Sequence, residues 1–145
     1  NIHLTRNLKF LNWRYCDSPK SDYLCYGIFT NGKLKASLVL KIDELFSNKG
    51  IIVMDYAYVS KKDFEKLITN FLSHNNFQNK DFSYILLSYI NKELLNVYKL
   101  GFIKVPKRFV PRNLNLLVKS CNNKLNKYIF NRNFWFISMS DWDVF

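Results

Sequence analysis

Asn31-Gly32 stands between two runs of strand formers, residues 23–30 and 33–42, and this constrains the chain more than any other feature. The two-residue turn that matches the twist of paired strands needs positive φ at both central positions, which Asn and Gly reach at little cost. An antiparallel hairpin is therefore expected to open the sheet. Ser47-Asn48-Lys49-Gly50 reads as the next turn. Residues 51–59 follow as a third strand, mostly apolar or aromatic and so expected to be central.

Beyond that strand the period changes. Ser60 and Asp63 resemble a capping box, and Phe64, Leu67, Ile68, Phe71 and Leu72 then recur at helical spacing, so an amphipathic helix is predicted. Residues 82–90 read as a buried strand reached across that helix and hence parallel to the third. Asn91 is placed to cap a short helix running to Tyr98, with Gly101 as its left-handed stop. Residues 102–110 and 114–119, separated by Pro111, are further strand candidates, and residues 128–139 add an aromatic run. Upstream, Leu4, Leu8, Leu11 and Tyr15 predict a helix that ends before Asp17-Ser18-Pro19. The expected class is α/β of the α+β kind: a mixed, mostly antiparallel sheet with one parallel pair, flanked by helices. At 145 residues and 48% hydrophobic content, residues 1–145 are read as one domain with a single core. The opening Asn1-Ile2-His3 is read as the continuation of a longer chain.

Several classes of function are set aside on composition. No apolar run approaches the roughly 18 residues of a membrane span. Cys16, Cys25 and Cys121 are odd in number and widely spaced, which suits a reducing cytoplasm better than a disulfide framework. His3 and His74 lack metal-ligand spacing, so no metal is expected. The formal charge of +11 points to an anionic partner, and there is no acid between Glu93 and Asp141, where Lys99, Lys104, Lys107, Arg108 and Arg112 fall. That basic half is either a solvated face or a patch that meets phosphates. No RNA- or DNA-binding motif is legible, so nucleic acid is not the expected partner.

The order of helix, hairpin, strand, capped helix, strand and short helix resembles the GNAT superfamily of N-acyltransferases without that fold's first strand and helix. The sharper likeness is Asn91-Lys92-Glu93-Leu94-Leu95-Asn96-Val97-Tyr98-Lys99-Leu100-Gly101-Phe102, similar to that family's Asn, then a helix bearing Tyr, then Leu-Gly-Phe. The resemblance implies a central parallel pair splayed into a V, an acyl-coenzyme A donor such as acetyl-coenzyme A, and a primary amine acceptor. It also implies that Asn91 lies beside the donor and that Tyr98 protonates the departing thiolate. A tyrosine hydroxyl, with an ordinary pKa of about 10, is protonated at neutral pH and suits that task. The bland alternative makes Asn91 only a cap and Tyr98 a core aromatic.

Asp55, an acid within an apolar strand, is the candidate general base, or else a hydrogen-bonded structural Asp. In the family a glycine-spaced loop wraps the donor pyrophosphate, whereas this chain has Val59-Ser60-Lys61-Lys62-Asp63-Phe64 with no glycine. Ser60, Lys61 and Lys62 are left to bind the donor through a helix N-terminus and added charge, with Asp63 opposing. Phe10-Leu11-Asn12-Trp13-Arg14-Tyr15 and the segment from Trp135 to Asp143 are similar to the ends of GNAT-like proteins from bacterial surface-polysaccharide loci. This likeness implies an amino-sugar acceptor with Arg14, Asp141 and Asp143 near it. Against it stands the reading of Trp13 and Trp135 as core anchors and of the acids as a solvated tail. A GNAT-like domain that binds without catalysing, and a basic nucleic-acid module, are the competing functions.

Overall fold

The computed structural model describes residues 5–17, 22–45, 47–74, 82–88, 98–106, 108, 124, 126–131 and 134–141. Asn31 and Gly32 take positive φ, and on either side of them β1 (Tyr23–Thr30) pairs antiparallel with β2 (Lys33–Leu45). The hairpin expectation holds. The chain then reverses tightly, with Ser47 at φ 59° and Leu45 paired to Asn48, into β3 (Asn48–Tyr58). Asn48, Lys49 and Gly50 are therefore strand residues and not the predicted turn. Gly50 has a specific reason to be there, since a Cβ on it would stand 2.1 Å from the ring of Tyr84, its cross-strand partner. The missing side chain makes room for an aromatic ring over the backbone.

Ser60 starts α2 (Lys61–His74) as expected, its hydroxyl accepting from the Asp63 N–H at 3.2 Å and donating to the Asp63 carboxylate at 2.6 Å. Phe64, Leu67, Ile68 and Phe71 are buried from this helix against Ala36, Leu38 and Leu40 of β2 and Ile51 and Val53 of β3. Each Å² of apolar surface that this layer removes from water stabilises the fold by about 25 cal/mol. β4 (Tyr84–Leu87) is shorter than the predicted residues 82–90, of which 89 and 90 lie outside the described residues. It pairs parallel to β3, Gly50 with Tyr84 through Val53 with Leu87. The four-stranded sheet is thus mixed, in the order β1-β2-β3-β4.

β3 continues past Val53 to Tyr58 with no further pairing to β4 among the described residues, and a bulge marks the change. Leu40 pairs with Val53 but Val39 pairs with Asp55, leaving Met54 as the extra residue. Strict alternation would place Asp55 with Ile51 and Val53 on the face that α2 covers. The bulge turns it to the opposite face and puts Tyr56 in its place beneath α2. On that opposite face, Ile52 and Met54 pack with Tyr15 and Met139.

The N-terminal helix forms as α1 (Leu8–Leu11), capped by the Asn7 side chain, and widens into a π-helical turn at Asn12–Cys16. Tyr15 is buried and Leu11 packs beside it, but Leu8 is exposed. Trp13 is 60% exposed, so the expectation that it anchors the core is overturned. Leu4 and residues 114–119 lie outside the described residues. Residues 102–106 carry no regular structure, contrary to the predicted strand, and most of their side chains are exposed. Within the final aromatic run the described residues include the end of α3 (Asn126–Ile129) and the start of a 3-10 turn at Met139–Asp141. Trp135 is half-buried and donates its indole N–H to the Ile129 carbonyl at 2.8 Å, closing this segment on itself.

Candidate functional site

The bulged stretch of β3 gathers the chain's densest polar chemistry. A carboxylate taken from water must be paired and hydrogen-bonded or its burial is costly. Asp55 meets that demand with four donors: Arg6 Nε at 2.7 Å and the Tyr15 hydroxyl at 3.2 Å on Oδ2, and the Tyr56 N–H at 2.9 Å and Ser138 Oγ at 3.1 Å on Oδ1. Arg6 spans from Asp55 to Asp141, donating through Nη2 at 2.8 and 3.0 Å to the second carboxylate and at 3.0 Å to Ser138 Oγ. Asp141 also accepts the Ser138 N–H at 2.8 Å, and Ser138 and Ser140 share a hydrogen bond at 2.9 Å. Segments from the start, middle and end of the chain are joined at this point. The Arg6, Asp55 and Asp141 side chains are only 14%, 5% and 9% exposed.

Burial on its own would lower the Arg6 pKa, but the carboxylates of Asp55 and Asp141 outweigh it and raise the value, so the guanidinium stays charged. Burial first, and the Asp55 charge second, push the Tyr15 hydroxyl well above its ordinary range. Tyr56, on the other face, is raised by burial above all and then by Tyr58 and Asp55. Both hydroxyls hold their protons, and that of Tyr15 donates to Asp55. The Arg6 guanidinium also lies 5.2 Å from the centre of the Phe136 ring, which meets Tyr56 edge-on at 5.0 Å. One chain of contacts thus leads from the ion-pair cluster to the face beneath α2.

Among the residues singled out from sequence, Asp55 and Asp141 are brought together, with Arg6 as the link that the sequence reading missed. Arg14 lies half-buried on the π-helical turn next to Tyr15. Ser60, Lys61 and Lys62 stand exposed at the start of α2, just after the end of the strand that carries Asp55. Tyr98 lies in a 3-10 stretch, its carbonyl accepting the Gly101 N–H at 3.2 Å, and Gly101 has the expected positive φ of 88°, while residues 91–97 of the predicted short helix lie outside the described residues. With 45% of its surface exposed, Tyr98 is not a core aromatic. Asn91 and Asp143 lie outside the described residues. The cue that could have led to Arg6 is charge bookkeeping, since an Asp inside an apolar strand requires a cation or several donors.

Among the described residues no group of His, Cys, Asp and Glu is arranged to hold a metal ion, and no helix is long and apolar enough to cross a membrane. Compared with family models, curated proteins and solved structures, the chain matches none.

Proposed function

We propose that this chain is an N-acyltransferase of the GNAT kind, carrying an acyl group from coenzyme A to a primary amine such as an amino sugar. One observation carries most of the weight. Among the described residues the parallel pairing of β3 and β4 ends at Val53 and Leu87, while β3 runs on through a bulge to Tyr58 and leads directly into the N-terminus of α2. Backbone groups freed from a sheet ladder need another partner, and an extended thioester can supply one. The helix start then faces the donor's phosphates: the N–H groups of Lys61 and Lys62 precede the first intrahelical bond, and their side chains add positive charge.

The fit to coenzyme A is partial. No glycine opens the backbone between Val59 and Phe64, and the Ser60 hydroxyl is engaged by Asp63. Phosphate binding there rests on charge and is accordingly salt-sensitive. In the reaction, the amine nitrogen attacks the thioester carbonyl carbon, the C–N bond forms and the C–S bond breaks. The leaving thiolate takes the Tyr98 hydroxyl proton, and the attacking nitrogen gives its extra proton to a base. For Asp55 to be that base one of its present donors must yield, and the Tyr15 hydroxyl, at 3.2 Å, is the most distant of the four. The engagement of Asp55 on both oxygens favours the second reading, a GNAT-like domain that binds the donor without turning it over.

Calorimetric titration with acetyl-coenzyme A at low and moderate salt tests the proposal. Weak binding that falls with salt is expected, and no heat at either salt would remove the acyltransferase reading.

A further inference from the structure

Tyr56 is 3% exposed, yet its hydroxyl has no hydrogen-bond partner among the described residues. Its ring is held by Phe64 at 5.4 Å, by Phe136 at 5.0 Å and by Tyr58, stacked at 6.4 Å, so it is fixed in place without its polar end being used. Leaving a buried hydroxyl unpaired is costly, and native proteins rarely accept that without a return elsewhere. The position suggests the return. Tyr56 lies just beyond the last β3–β4 pair, on the strand side, and packs on Phe64 in the first turn of α2, so it stands between the two features proposed to line the donor's path.

We propose that Tyr56 is a substrate-contacting residue whose hydroxyl donates a hydrogen bond to the carbonyl oxygen of the acyl thioester, so that the protein distinguishes acyl-coenzyme A from free coenzyme A. This rests on the acyltransferase reading above. A neutral O–H donor matches a carbonyl acceptor, and the hydroxyl holds its proton across the physiological range because burial opposes its ionisation. The contact strengthens as the carbonyl oxygen gains negative charge during attack by the amine, which is where such a donor is most effective. The aromatic rings around it exclude water that would otherwise compete.

The test compares the wild type with Tyr56→Phe, a change that removes one oxygen and keeps the ring. Binding of acetyl-coenzyme A and of free coenzyme A is titrated for both proteins, and thermal unfolding is measured without ligand. The wild type is expected to prefer acetyl-coenzyme A. Tyr56→Phe should lose roughly 2- to 12-fold in affinity for acetyl-coenzyme A, the range for one hydrogen bond, with affinity for coenzyme A unchanged. The same variant should melt about 3–8 °C higher, because an unpaired buried hydroxyl has been removed. A tyrosine without this role would gain the same stability and leave the preference intact, so the ligand preference is the deciding readout. If the wild type prefers acetyl-coenzyme A and Tyr56→Phe keeps that preference, Tyr56 has no such role and the acyltransferase reading survives. If the wild type binds neither ligand, both proposals fall together.

Discussion

Replacing Arg6 with Met keeps much of the side chain's length and removes the cation from between two acids. The loss can be worked out contact by contact. Nε leaves Asp55 Oδ2, and Nη2 leaves both Asp141 oxygens and Ser138 Oγ. Asp55 keeps the Tyr15 hydroxyl, the Tyr56 N–H and the Ser138 hydroxyl as donors, whereas Asp141 keeps the Ser138 N–H. Two nearly buried carboxylates then face each other without a counter-charge, and breaking one buried pair in this way costs about 3–5 kcal/mol. Domains of this size are stable by about 5–15 kcal/mol, so roughly a fifth or more of the total is at stake. With a urea dependence of about 2 kcal/mol per molar, the unfolding midpoint should fall by about 2 M. Urea unfolding followed by tryptophan fluorescence reads the shift. A cycle with Asp141→Asn and the double variant should give a coupling of about 1–3 kcal/mol, because the two residues share hydrogen bonds. A midpoint within error of the wild type, or strictly additive losses, would refute the claim that this ion pair fastens the two ends of the chain to β3.

Other consequences can be checked on the same protein. Tyr15 and Tyr56 keep their protons in the folded state beyond the ordinary pKa of about 10, so above that pH the unfolded chain binds fewer protons and stability falls as pH rises, by up to about 1.4 kcal/mol per pH unit for each tyrosine. Stability measured against pH should therefore be free of this effect below about pH 10 and decline above it, with a shallower decline in Tyr15→Phe; an unchanged slope in that variant would contradict the assignment. Gly50→Ala should destabilise by about 1–3 kcal/mol, since its Cβ would meet the Tyr84 ring at 2.1 Å, and Tyr84→Ala should relieve part of that loss in chemical denaturation. Ser60→Ala removes the cap of α2 and should cost about 1 kcal/mol in the same assay.

The elements that rest on local chemistry were legible in the sequence. Asn31-Gly32 fixed the hairpin, Ser60 the start of α2, and the spacing from Phe64 to Phe71 its buried face. Gly50 was misread because turn chemistry and close backbone approach both favour glycine, and only the cross-strand position of Tyr84 separates them. The bulge at Met54 was invisible for a different reason: residues 51–54 are apolar on both faces, so a slip of one residue leaves that pattern unchanged. Only the need to take Asp55 away from Phe64 and Leu67 marks it. Arg6 was overlooked because its partners are 49 and 135 residues away, a separation that no local pattern reports. Trp13 and the run from Tyr128 to Met139 were judged by residue type, which says that a ring is apolar but not which surface it covers.

The proposed acyl transfer is measured directly as release of coenzyme A thiol from acetyl-coenzyme A in the presence of amines. Thiol release is expected to require both the protein and an amine, with amino sugars the first acceptors to screen. In Tyr98→Phe it should fall by about 10²–10⁴-fold, the usual contribution of a general acid. Thiol release at the uncatalysed rate with every amine tried, or full turnover in Tyr98→Phe, would contradict the proposal.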